Sequence, residues 1–171
     1  MRFGLYIFSY ILLHSTTISI ENDYHPIKIY FDFTQLEQSN VEKPLINVLK
    51  SMLKQVGLVL SQFININNKD NLKSNLPPKN FCDSTIEYFD QNILKGINTD
   101  LLIYPIFKNI SKKNYQVHGE VCGLDIKNKR PNIGKLFYNR NINYKNNNII
   151  EKYFIDTIHH MIHILGLINS I

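Results

Sequence analysis

The residues best suited to chemistry lie near the end of the sequence, in His159-His160-Met161-Ile162-His163. On a helix, side chains four positions apart stack on one face. His159 and His163 could therefore offer two imidazoles to one ion, each at about 2.0–2.1 Å from a zinc. Taken alone, such a pair is more often an accident of a surface or a core than a metal site. His118 stands beside Gly119 and Glu120, where it reads as an exposed or hydrogen-bonded residue before a ligand. Glu120 and Asp125 could orient a metal-bound imidazole, or simply face solvent. His25 reads as a residue at the start of a strand. No glycine-rich phosphate loop and no serine or cysteine nucleophile context stands out.

Several elements must position these groups. Ile149 to Leu165 reads as a helix whose apolar stripe is Ile150, Phe154, Ile158, Met161 and Leu165, with Gly166 as its stop. Pro44 opens a longer helix, in which Leu45, Leu49, Met52, Val56, Leu60 and Phe63 share one face. Ile27 to Phe33 and Asp100 to Phe107 have strand character. Pro105 points to an edge position or an early end for the second of these. Gln116 to Ile126 is a further strand, in which Gly119 and Gly123 allow bulges or close backbone approach. Ser84 to Leu94 reads as a short helix ending near Gly96. The polar stretches Asn65 to Asn80 and Asn139 to Asn148 read as loops.

The chain has 171 residues, 44% of them hydrophobic and 19% charged, enough for one domain with a real core. Its net charge is +5, but the lysines are scattered. The closest groupings are Lys112-Lys113 and Lys127-Asn128-Lys129-Arg130. Neither is a dense patch, which argues against nucleic-acid binding. Arg2 followed by the apolar stretch Phe3 to Leu13, with small residues at Thr17 and Ser19, reads as a signal peptide over residues 1–19. The expected product, residues 20–171, is secreted or held at the cell surface, soluble or peripherally associated with membrane. In that oxidising setting Cys82 and Cys122 are expected to form a disulfide, the alternative being two buried thiols. Closing a loop of about forty residues would stabilise by roughly 3–4 kcal/mol. Asn109-Ile110-Ser111 is an N-glycosylation sequon, so Asn109 is a candidate glycosylation site.

The histidine helix continues Ile164-Leu165-Gly166-Leu167, giving H-x-x-x-H-x-x-G, the pattern of metzincin proteases. His159 to Leu167 resembles the active-site helix of leishmanolysins, where His-Glu-x-x-His-x-Leu-Gly-Phe is usual. Cys122-Gly123-Leu124-Asp125 and Arg130-Pro131-Asn132-Ile133-Gly134-Lys135-Leu136 resemble landmarks that precede that helix. Asp100 to Tyr104 resembles the family's Asp-Leu-hydrophobic strand, and Cys82 sits where the disulfide partner would. His25-Pro26-Ile27-Lys28-Ile29 with Asp32 is similar to the start of the catalytic domain. The resemblance spans roughly residues 25–167.

It implies an α+β fold, the zincin-like N-terminal subdomain: a twisted mixed sheet, a backing helix and a His-bearing active-site helix. The implied activity is zinc-assisted hydrolysis of internal peptide bonds, with zinc as cofactor and a peptide or protein as substrate. The departures matter equally. His160 occupies the position of the general-base glutamate. A carboxylate accepts a proton beside zinc while neutralising charge, whereas imidazole would add a second positive charge. The family's third histidine ligand lies further downstream than Ile171, so the sequence reads as a truncated relative with weak or absent zinc. The expectation is a metalloendopeptidase-family protein inactive as written, or a secreted pseudoprotease that acts by binding a surface partner or by adhesion.

Overall fold

The structure is a computed structural model that describes residues 24–67, 86–109, 116–125, 129–140 and 145–167. The expected signal peptide, Cys82, the loop beyond Asn67 and the end of the Asn109 sequon lie outside the described residues. Helices and a mixed sheet share the chain, an α+β arrangement at the coarse level. In chain order the elements are β1 (Tyr24–Pro26), β2 (Ile29–Phe31), α1 (Thr34–Glu37), α2 (Lys43–Phe63), β3 (Asn65–Asn67), α3 (Gln91–Leu94), β4 (Leu101–Lys108), β5 (Val117–Leu124), β6 (Pro131–Asn139) and α4 (Asn147–Ile164).

The main sheet has the order β2-β4-β6-β5, parallel from β2 to β6 and antiparallel between β6 and β5. A second, two-stranded sheet pairs β1 with β3, which places a strand where Asn65 was expected to begin a loop. Strand β6 was not foreseen. Pro131, Gly134 and Lys135 dilute its β signal, yet it is the most enclosed part of the sheet after β4.

β4 is internal, contrary to the edge position that Pro105 implied. Strand β2 ends at Phe31, whose partner is Ile103, so at Pro105 no described strand lies on that side. The missing N–H costs no ladder bond there.

Helix α2 begins one residue before Pro44, and its predicted stripe is buried from Leu45 to Leu60. Phe63 departs from it: at 79% exposure the last turn has run past the core. The stripe expected for α4 faces the core, with Met161 and Leu165 buried in it, but the most enclosed face lies slightly to one side. Tyr153, Thr157, Met161 and Ile164 are its buried face, while Ile150, Phe154 and Ile158 are partly covered. Both helices pack on one face of the main sheet, over Leu101, Ile103, Phe107, Leu136 and Tyr138. The opposite face, with Leu102, Tyr104, Ile106, Ile133 and Phe137, is covered by residues 86–97, of which only Gln91–Leu94 is helical.

Two buried carboxylates tie the loops to β4 and β2. Asp100 accepts from the Lys28 N–H at 2.8 Å and from His25 Nε2 at 2.9 Å. Asp32 accepts from Thr34 N at 2.9 Å and Asp90 N at 2.8 Å. Asp90 in turn accepts a 2.6 Å bond from the Tyr30 hydroxyl, and that bond heads the causes that push the phenol up to about 12.

Helix α4 sits on a part of the sheet paved with glycine. A Cβ on Gly134 would stand 2.7 Å from Ile164 Cγ2 and 3.0 Å from Ile103 Cδ1. A Cβ on Gly119 would meet the His160 carbonyl oxygen at 3.0 Å. A buried polar contact fixes the rotation of the helix: Thr157 Oγ1 donates to the Tyr153 carbonyl at 2.7 Å and accepts from the Tyr138 hydroxyl at 3.0 Å. Gly134→Ala should therefore overpack the seat of α4 and cost about 1–3 kcal/mol. Thermal unfolding measures this, and a variant as stable as its parent would show that α4 does not lie this close to β6.

Candidate functional site: the histidine patch of the last helix

Asn146 caps α4, its side chain accepting from Asn148 N at 3.0 Å, and Gly166 ends it with φ of 71°. Between these limits, α4 turns His159 and His163 away from its buried face. Their Nε2 atoms approach to 3.0 Å and their ring centroids to 4.5 Å. His159 is exposed and His163 is partly covered. Two imidazoles on one tetrahedral zinc at about 2.0–2.1 Å would have nitrogens roughly 3.3 Å apart. The two nitrogens share a hydrogen bond, and their separation is within a few tenths of an ångström of that spacing, so an ion could replace the shared proton with a small opening of the pair. Among the described residues no group of three or more His, Cys, Asp or Glu gathers around one point.

His160 lies between the pair and the sheet. Its ring centroid is 5.4 Å from that of His159, 6.1 Å from His163 and 5.8 Å from His118 on β5. Burial is the main force on it, and His159, His118 and His163 add to it against the opposing charge of Asp156. Together they lower its pKa from 6.5 to about 4. The ring at the position after the first histidine is therefore a neutral, weakly basic group in neutral solution.

The neighbouring strand supplies a charged rim. Glu120 meets Lys135 Nζ at 3.2 Å and His118 Nε2 at 3.6 Å. Lys135 is 3% exposed and its ammonium stands 5.2 Å from the centre of the Phe137 ring, a cation–π contact. The His118 ring stacks on Phe137 at 6.3 Å. Glu120 is thus engaged within the sheet. Asp125 closes a turn, its N–H donating to the Arg130 carbonyl at 2.7 Å.

Sequence reasoning placed the His159–His163 pair but missed the approach of His118 to His160, which follows from the register of β5. It also missed Lys135 as the partner of Glu120. Alternation along β6 would have found it, because Ile133, Lys135 and Phe137 share a face. Cys122 is partly buried against the second core. Asn109, the first residue of the sequon, is exposed at the end of β4. Among the described residues no helix is long and apolar enough to cross a membrane.

The low pKa of His160 has a signed consequence for stability. Above about 6.5 the ring is neutral both folded and unfolded. Between about 6.5 and 4 the unfolded chain takes up a proton that the folded chain refuses, so stability falls as the solution is acidified through this window. His160→Asn should flatten that part of the stability-versus-pH curve relative to the parent. Denaturant unfolding at several pH values measures the difference, and identical slopes would show that the ring is solvated.

No protein-family model matches the chain, and no curated protein matches it.

Proposed function

We propose that this protein is a secreted relative of the leishmanolysin-type zinc metallopeptidases that binds rather than cleaves. In this reading the mixed sheet, α2 and α4 correspond to the N-terminal subdomain of a zincin. His159 and His163 are the two metal-holding side chains, with Cys82 and Cys122 as a structural disulfide. The observation that carries it is the convergence of the two Nε2 atoms to 3.0 Å on the outward side of a helix that carries the H-x-x-x-H-x-x-G pattern.

Bound zinc would supply Lewis acidity and an acidified water. The chain's own residues do not complete the chemistry. A general base must hold a proton next to the cation, and general-base catalysis typically contributes 10²–10⁴-fold. His160 takes up a proton only near pH 4, held neutral first by burial and then by its neighbouring imidazoles. A dication nearby would depress that further. The role left to the site is recognition, with a peptide or a protein surface as partner and β5 beside α4 as the strand along which an extended chain would lie.

Two expectations follow for solution. Titration calorimetry should find weak Zn²⁺ binding that weakens further in acid, as imidazoles must be neutral to coordinate. His159→Ala and His163→Ala should each abolish it. A quenched-fluorescent peptide library with added zinc should show no chelator-sensitive cleavage, and His160→Glu alone should not create any. Chelator-sensitive turnover by the unaltered chain would overturn the non-catalytic reading. Zinc binding that survives loss of either histidine would overturn the assignment of the pair.

A further inference from the structure

We infer that a zinc ion joins two copies of this chain, with His159 and His163 of each copy supplying the four ligands. The inference rests on the metal reading above and extends it to the partner. It begins from coordination number. Protein zinc sites of the structural kind are closed and tetrahedral. The described residues provide two convergent imidazole nitrogens at 3.0 Å and no third donor around the same point. Glu120 is held by Lys135 and His118, and His160 is turned toward the sheet. A second copy related by a two-fold axis through the ion supplies the missing pair, because an isologous contact presents the same patch from both sides.

The face that carries the pair suits such a contact. The buried side of α4 is Tyr153, Thr157, Met161 and Ile164. One helical turn before His159, on the outward side, Ile155 is 59% exposed. Just beyond the end of the helix, Leu167 is 60% exposed. The metal donors are thus bracketed by apolar groups that a monomer leaves in water. Neither apolar residue accounts for association alone, since two side chains bury little area. The ion supplies the strength and geometry, and the apolar brackets favour a second protein surface over two water ligands at the open positions.

The test measures mass and metal content together. The full chain is run by light scattering after size exclusion, first with a chelator and then with Zn²⁺ alone. The expected result is a monomer with chelator and a dimer with zinc, at one zinc per two chains. His159→Ala and His163→Ala should stay monomeric with zinc. Ile155→Asp leaves all four donors in place and should raise the zinc-dependent dimer dissociation constant at least tenfold while zinc binding to the monomer persists. A monomer holding one zinc per chain would overturn the bridging and leave the metal reading intact. Absence of zinc binding would overturn both. A zinc-induced dimer unaffected by loss of either histidine would place the bridge elsewhere and overturn the inference.

Discussion

The distance between α4 and the sheet governs everything on the histidine patch. That distance is set by what two residues lack. With no Cβ on Gly119 or Gly134, Ile164 and the backbone at His160 settle onto β5 and β6 at a range that a Cβ would crowd at Gly119 and could not share at Gly134 without a shift. Close approach buries His160, brings its ring near His118, and leaves His159 and His163 on the outward side. The hydroxyl chain from Tyr138 through Thr157 to the Tyr153 carbonyl then fixes the rotation. Burial pushes the Tyr138 phenol well above its ordinary range, so it remains a hydrogen-bond donor at any pH the fold survives. Glycines set the height and a buried hydroxyl sets the angle, and from these the positions of the imidazoles follow.

A carboxylate and an imidazole at the position of His160 differ in more than basicity. A carboxylate would bring a negative charge that draws a cation in and accepts a proton at no net gain of positive charge. The imidazole brings bulk and no charge. Its neighbours are three other imidazoles, so the patch has many nitrogen donors, and among the described residues its negative charge is limited to Asp156 and to Glu120, which is already paired with Lys135. Such a surface favours borderline metals that accept nitrogen ligands and is indifferent to hard cations such as calcium or magnesium.

Local signals were legible in the sequence where one periodicity dominated. The stripe of α2 from Leu45 to Leu60 and the helical spacing of His159 and His163 required only the pitch of the helix. The stripe failed at Phe63 because periodicity does not say where the supporting core ends. In α4 the expected apolar stripe does face the core, but periodicity of apolar residues could not show that Thr157, a polar residue, takes a central buried place by hydrogen bonding. Strand β6 was hidden by Lys135, whose burial depends on Glu120 across the β5–β6 ladder and on the Phe137 ring beside it. Pro105 misled because its cost depends on the length of a different strand. The glycines of β5 behaved as their type allows: Gly119 permits close approach, and the ladder shifts register around Gly123. None of the long-range pairings, including the one that brings His118 to His160, has a local signature.

The parallel pairing of β2 with β4 has a kinetic consequence. Contacts between segments far apart in sequence form slowly, because closing the intervening loop costs entropy before any contact offsets it. Lys28 and Asp100, which bond where β2 meets β4, are 72 residues apart. Strands β5 and β6 and helix α4 instead occupy one stretch, from Val117 to Ile164. Assembly should therefore start with the β5–β6 ladder receiving α4 and end with β2 closing on β4. Pulsed hydrogen exchange during refolding would register this as protection at Phe137, whose N–H faces β5, before Ile103, whose backbone faces β2, and the reverse order would contradict it. The imidazole-bearing half of the molecule would then be in place while the N-terminal strands were still searching.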